Sequence, residues 1–190
     1  QRQMCIRDSL GTEGGAGPED QDGPEAAGPT VLIDGHDLTR APDRVRRRLL
    51  GVASARVRLE RGSIRRLLSL RQPGVADEQI DAVAMRVGLT GVFAQLRDGV
   101  RTRVRHGGEP LTVSQRSRVK LGRALLGDPP LLVVDGLDAD LDDDGRRVLE
   151  GVLRDYPGVA VVVCSSSFRD RLDAVDWDLE DPRRAAQSGA

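Results

Sequence analysis

The sequence predicts an α/β fold in which a mostly parallel sheet is flanked by helices, and three observations carry that reading. Leu131–Val134 and Val159–Cys164 are continuous apolar runs, the pattern of strands covered on both faces. Segments of helical period stand between the strands, with apolar residues at Ile80, Val83, Ala84 and Val87 and again at Val119, Leu121, Ala124, Leu125 and Leu126. The first apolar run closes in Asp135, and open α/β sheets place their ligands at the carboxyl ends of strands.

Composition narrows the function classes. With 190 residues the chain is long enough for one domain with a proper core. A formal net charge of −1 gives no global pull toward nucleic acid or membrane, and 2% aromatic residues leave few rings on which bases could stack. Nucleic acid is therefore not an expected partner. Arginine carries the positive charge, and Lys120 is the only lysine. No apolar run reaches membrane-spanning length and no signal peptide is visible. Cys5 and Cys164 lie far apart, which fits a reduced, cytoplasmic setting.

In chain order, residues 1–9 (QRQMCIRDS) show no periodicity and read as an artefactual join to a truncated gene. The Gly-, Pro- and acid-rich residues that follow extend a disordered leader or linker to residue 29. A domain is expected over 30–180 and a disordered tail over 181–190. It opens on the short strand Thr30–Ile33 and a turn, on which His36 is an exposed residue. Ala41–Leu49 reads as a short helix with Pro42 near its start and a solvated face of Arg44, Arg46, Arg47 and Arg48. Leu50–Ser54 is a second strand. Asp77–Val87 is an amphipathic helix ended by Gly88, with the apolar stripe continued by Val92, Phe93 and Leu96. The helix after Leu111 runs until Asp128-Pro129-Pro130 stops it, because proline cannot continue a helix and restricts the residue before it. Asp142–Asp155 is a helix whose Asp142, Asp143 and Asp144 suit its positive N-terminal end. Residues 168–180 give a weak helix and a last strand around Trp177.

The order and spacing of four motifs resemble the nucleotide-binding domains of exporter-type ABC transporters. LTVSQRSR at 111–118 stands where that family reads Leu-Ser-Gly-Gly-Gln-(Gln/Arg)-x-Arg, and GRALLGDPP at 122–130 where it reads Ala-Arg-Ala-Leu. LLVVDG at 131–136 matches the Walker B strand closing in Asp-Glu, and ADLD at 139–142 matches the D-loop Ser-Ala-Leu-Asp. Ile33-Asp34-Gly35, Gly62-Ser63-Ile64 and the 97–108 region extend the match over most of 30–180. The resemblance implies a fragment of the ABC-type P-loop NTPase fold with a helical signature subdomain. It also implies ATP and Mg²⁺ as cofactors and a second nucleotide-binding domain, identical or different, as partner. A transmembrane domain and a place at the cytoplasmic face of the cell membrane complete the expectation.

Several chemical positions depart from the family. The cradle Gly-x-x-Gly-x-Gly-Lys-(Ser/Thr) does not occur in this sequence, whose one lysine falls inside the signature helix. Asp135 matches the aspartate that holds Mg²⁺ through water, but Gly136 replaces the glutamate that polarises the attacking water, and glycine cannot act as a base. The Q-loop glutamine falls on Ala55 and the switch histidine on Ser165. Leu111 and Gln115 of the signature are kept while Thr112, Val113 and Ser114 replace Ser-Gly-Gly, and the added side chains are expected to obstruct close backbone approach. Leu141 and Asp142 of the D-loop are kept. Asp140-x-Asp142-x-Asp144-Gly145 also resembles the opening of an EF-hand, but Gly151 stands where its closing glutamate belongs.

The reading that follows is a degenerate subunit that pairs with a second nucleotide-binding domain and couples ATP binding or hydrolysis to transport. Its alternatives are a weakly active ATPase, with water positioned by backbone or by Asp138, and a stand-alone pseudo-ATPase interaction module.

Overall fold

The computed structural model of the chain describes residues 4–7, 30–33 and 35–176. Strand β1 (Met4–Arg7) pairs antiparallel with β2 (Thr30–Ile33), and β2 with the short β3 (His36–Asp37). The pairing of β1 corrects the expectation of a leader without order up to residue 29. Its strand character comes from a distant partner's backbone, which four residues of sequence cannot announce. The remainder of the leader, Asp34, Trp177 and the tail from Asp181 lie outside the described residues.

Helix α1 (Asp43–Leu49) begins behind Pro42 and leaves its arginines in solvent, as expected. It runs directly into β4 (Leu50–Ser54). Next come β5 (Gly62–Ser63), α2 (Ile64–Ser69), α3 (Asp77–Arg86), α4 (Thr90–Gln95) and β6 (Arg103–Val104). β5 pairs antiparallel with β6, which brings the loop before β5 beside the loop after β6. Helix α5 (Val113–Leu125) leads to β7 (Leu131–Asp135), and α6 (Asp143–Arg154) to β8 (Val159–Val163) and the short α7 (Ser166–Arg169).

The sheet that positions the site is fully parallel, in the order β4–β7–β8. Its apolar strands alternate between two cores. Leu132 and Val134 face α5, joining Leu121, Leu125, Val119 and Ala53, while Leu131, Val133, Val159 and Val161 pack with Ile33 and Leu38. A Cβ on Gly51 would strike the carbonyl oxygen of Ala124, so glycine lets α5 lie directly on β4. Arg71 then ties three elements together, donating to the carbonyls of Arg47, Leu50 and Ala124. These acceptors include carbonyls at the end of α5, where a helix leaves C=O groups without intrahelical partners.

Candidate functional site

The register of the sheet builds the site. Ser54, Asp135 and Val163 lie side by side, so the three strands end together and the chain emerges at one edge as Ala55, Gly136 and Cys164. Asp135 is partly exposed there. Its carboxylate accepts from Ser54 Oγ at 2.8 Å and faces the guanidinium of Arg56 at 3.7 Å. A cation and a hydroxyl donor thus already stand beside the oxygens that the sequence assigns to a hydrated metal.

Gly136 leaves the strand with φ 63°, in the left-handed region, and its N–H donates to the carbonyl of Val163 at 2.8 Å. A side chain there would meet only Ala55 Cβ, at 3.8 Å, so the space beside it is open while the backbone conformation disfavours any residue with a Cβ. A carboxylate is missing from the position where the family resemblance expects one, and the local backbone is that of a glycine turn.

Asp138, which sequence reasoning offered as an alternative water-positioning group, is 3% exposed. Its Oδ2 accepts from the N–H of Ser165 at 3.1 Å and from Ser165 Oγ at 2.6 Å. That pairing corrects the expectation: the carboxylate that would hold a water is turned inward and taken up by the serine at the switch position. Cys164, half-buried beside it, is pushed up in pKa by burial and then by the Asp138 charge, so its thiol stays protonated at neutral pH.

The signature turn is well formed. Thr112 caps α5 by accepting from the Gln115 N–H at 3.2 Å, and Gln115 Oε1 accepts from the Thr112 N–H at 3.0 Å, a reciprocal capping box. Leu111 and Ser114 are buried, and Ser114 Oγ accepts from the Asp142 N–H at 3.3 Å. Of the side chains expected to obstruct backbone approach, only Val113 points outward, at 49% exposure. The expectation that both added side chains block the turn is thereby corrected: Ser114 faces the D-loop instead. Asp142 in turn caps α6, accepting from the Gly145 N–H at 2.7 Å, and Leu141 is in the core.

Four polar side chains of α5 carry a network that its apolar periodicity does not reveal. Arg118 donates to Asp142 at 2.9 Å, to Asp144 at 2.8 Å and to the Gly88 carbonyl at 3.2 Å. Arg123 pairs with Glu60 at 2.8 Å. Lys120, 5% exposed, donates to the Ala55 carbonyl at 3.1 Å with Asp140 at 3.8 Å, and Ser117 Oγ donates to the same Asp140 oxygen at 2.9 Å. Burial lowers the Lys120 pKa, an effect the Asp140 charge opposes. Basic residues at this spacing ordinarily mean a solvated face, and only the acids on neighbouring loops turn them inward.

Comparison with known proteins places this arrangement. No protein-family model matches the chain. The leukotoxin export ATP-binding protein LtxB of Aggregatibacter actinomycetemcomitans is 35% identical over 119 residues, which is 63% of this chain and 17% of that protein. The leukotoxin translocation ATP-binding protein LktB of Mannheimia glucosida is 34% identical over the same shares. The structure of a bacterial Atm1-family ABC exporter with ATP bound superposes with a TM-score of 0.61 at 24% identity, covering 72% of this chain and 24% of that one. The chain is a relative of the ABC exporter ATP-binding proteins. Its fold is that of a fragment of an ABC nucleotide-binding domain, and it spans about a sixth of the length of the curated relatives it matches.

As an ABC exporter relative the chain invites a test of fit to ATP and Mg²⁺. Its residues supply one metal-facing carboxylate, Asp135, already beside Arg56, and no glycine-rich cradle with a lysine. Among the described residues no cluster of three or more His, Cys, Asp or Glu is placed to hold a metal. The residues present do not by themselves make an ATP–Mg²⁺ site. No helix of the described residues is long and apolar enough to cross a membrane.

Proposed function

We propose that this chain is the part of an exporter-type nucleotide-binding domain that contributes a signature helix and a D-loop to a partner domain and transmits motion, without supplying a catalytic base. Gly136 carries the proposal. At the strand end, where the resemblance expects a glutamate, the backbone is left-handed and no side chain is available to polarise water. The Asp138–Ser165 pair supports it, because the nearest alternative acid is already engaged.

In this reading a second nucleotide-binding domain provides the competent cradle and base. Thr112, Val113 and the helix N-terminus of α5 face it, with Asp135, Leu141 and Asp142 lining the shared edge. ATP and Mg²⁺ belong to the pair of domains, and a transmembrane domain at the cytoplasmic side of the membrane receives the motion.

The test is ATP turnover by the full-length protein containing this chain, alone and with its partner domain. Turnover by the protein alone is expected to match that of its Asp135→Ala variant. Vigorous turnover by the protein alone that vanishes in Asp135→Ala would overturn the proposal and favour the weakly active ATPase.

A further inference from the structure

The groove between the loop before β5 and the first turns of α5 is a second feature of the surface, with its own chemistry. It encloses about 500 Å³ and is walled by residues 55, 57–61, 106–108 and the α5 face that carries Val113, Arg116 and Lys120. Apolar contact is on offer, since Val57 and Val113 are both about half exposed at its wall. The rim is basic. The β5–β6 pairing sets Arg58 and Arg61 on one loop beside Arg101, Arg103, Arg105 and His106 on the other. None of these five arginines has an acidic group within ion-pair distance among the described residues. The two acids of the groove are both engaged, Glu60 by Arg123 and Asp140 by Ser117 and Lys120.

From this juxtaposition the geometry points to one occupant, an acidic amphipathic segment of a partner polypeptide, its apolar face on Val57 and Val113 and its carboxylates on Arg58 and Arg61. An excess of unengaged guanidinium groups on a chain whose net charge is −1 is a local feature, and it favours anions by Coulomb attraction and by bidentate hydrogen bonding. Nucleic acid is the less favoured anion, because no aromatic residue lines the groove to stack a base. The inference rests on the proposed role in transmitting motion to a partner, and it adds the chemistry of the segment that is gripped.

The experiment is fluorescence anisotropy of the full chain with a labelled helical peptide carrying leucines on one face and glutamates on the other. Its counterpart with lysine for glutamate, a mixed-sequence single-stranded oligonucleotide and a peptide of residues 13–25 of this chain serve as competitors. The acidic amphipathic peptide is expected to bind at least about tenfold more tightly than the lysine peptide, a preference that added salt weakens. Arg58→Glu and Arg61→Glu are expected each to weaken binding about tenfold, while Arg58→Lys retains most of it and circular dichroism reports an unchanged fold. Equal binding of the two peptides, stronger binding of the oligonucleotide, or equal binding of the 13–25 peptide would overturn the inference. Failure here with crosslinking of the full-length protein to a transmembrane partner elsewhere on its surface would sink the groove and leave the proposed function standing. Peptide binding by a protein whose own turnover is vigorous would do the reverse.

Discussion

Helix α5 and the strand-end corner lie against each other, yet they are constrained to very different degrees. The helix is capped at its start by Thr112 and Gln115, held at its end by Arg71, and buried along its length with Leu121 and Leu125 in the core. The corner holds Asp135, Gly136 and Ser165, which are partly or largely exposed and make a few local hydrogen bonds. Replacing a residue of the first kind leaves a cavity or an unpaired buried group. Replacing one of the second kind disturbs little packing. A scaffold can therefore persist after its chemical groups have changed, because different forces hold the two.

That contrast can be broken or sharpened by measurement. The largest effect is expected from Leu121→Ala, a loss of about 2–5 kcal/mol in urea unfolding, since the site is fully buried. A loss no greater than that of a surface substitution would show that α5 is not fixed by packing. Next comes Arg118→Ala, which removes the donors to Asp142, Asp144 and Gly88. About 1–3 kcal/mol is expected, the lower part of that range because both carboxylates are mostly exposed. Thr112→Ala removes the cap and should lower stability by about 1 kcal/mol, with Thr112→Ser restoring most of it.

At the corner, Gly136→Ala is expected to cost about 1–2 kcal/mol, a cost set by the left-handed backbone and not by crowding. A neutral result would mean that the turn relaxes to an ordinary conformation and that a side chain there is tolerated. The smallest effects concern pH. Asp142 is held below its ordinary pKa of 3.8 chiefly by the Gly145 N–H and then by Arg118 and Ser114. Its contribution is complete above that value and is lost as the pH falls through the lowered one. Asp142→Asn should flatten that part of the acid limb. Tyr156 is pushed up to about 12 by burial, and its hydroxyl donates to the Pro129 carbonyl. Stability tied to it is whole below pH 10 and declines as the pH rises toward 12, and Tyr156→Phe should remove that slope.

Much of this was legible in the residues. The apolar runs at Leu131 and Val159 are central and edge strands of one parallel sheet, and the Asp-Pro-Pro break ends α5 as expected. The strand-end position of Asp135 and the helix-capping role of Asp142 were equally readable. What could not be read was which polar side chains turn inward. Ser114, Arg118, Lys120 and Asp138 look like surface residues in a one-dimensional pattern, and each is buried by a partner many residues away. The pairing of β1 with β2 escaped for the same reason.

The sequence by itself determined the layered α/β architecture, the strand that ends in Asp135 and the absence of a side chain at Gly136. Hydrophobic period, proline and glycine act locally and leave their marks in consecutive residues. Only the tertiary structure decided that Asp138 belongs to Ser165, that Lys120 reaches Ala55, and that two arginine-bearing loops share one groove. Those pairings depend on long-range strand register and on burial, which makes an unpaired charge costly and so selects partners that no short stretch of chain contains.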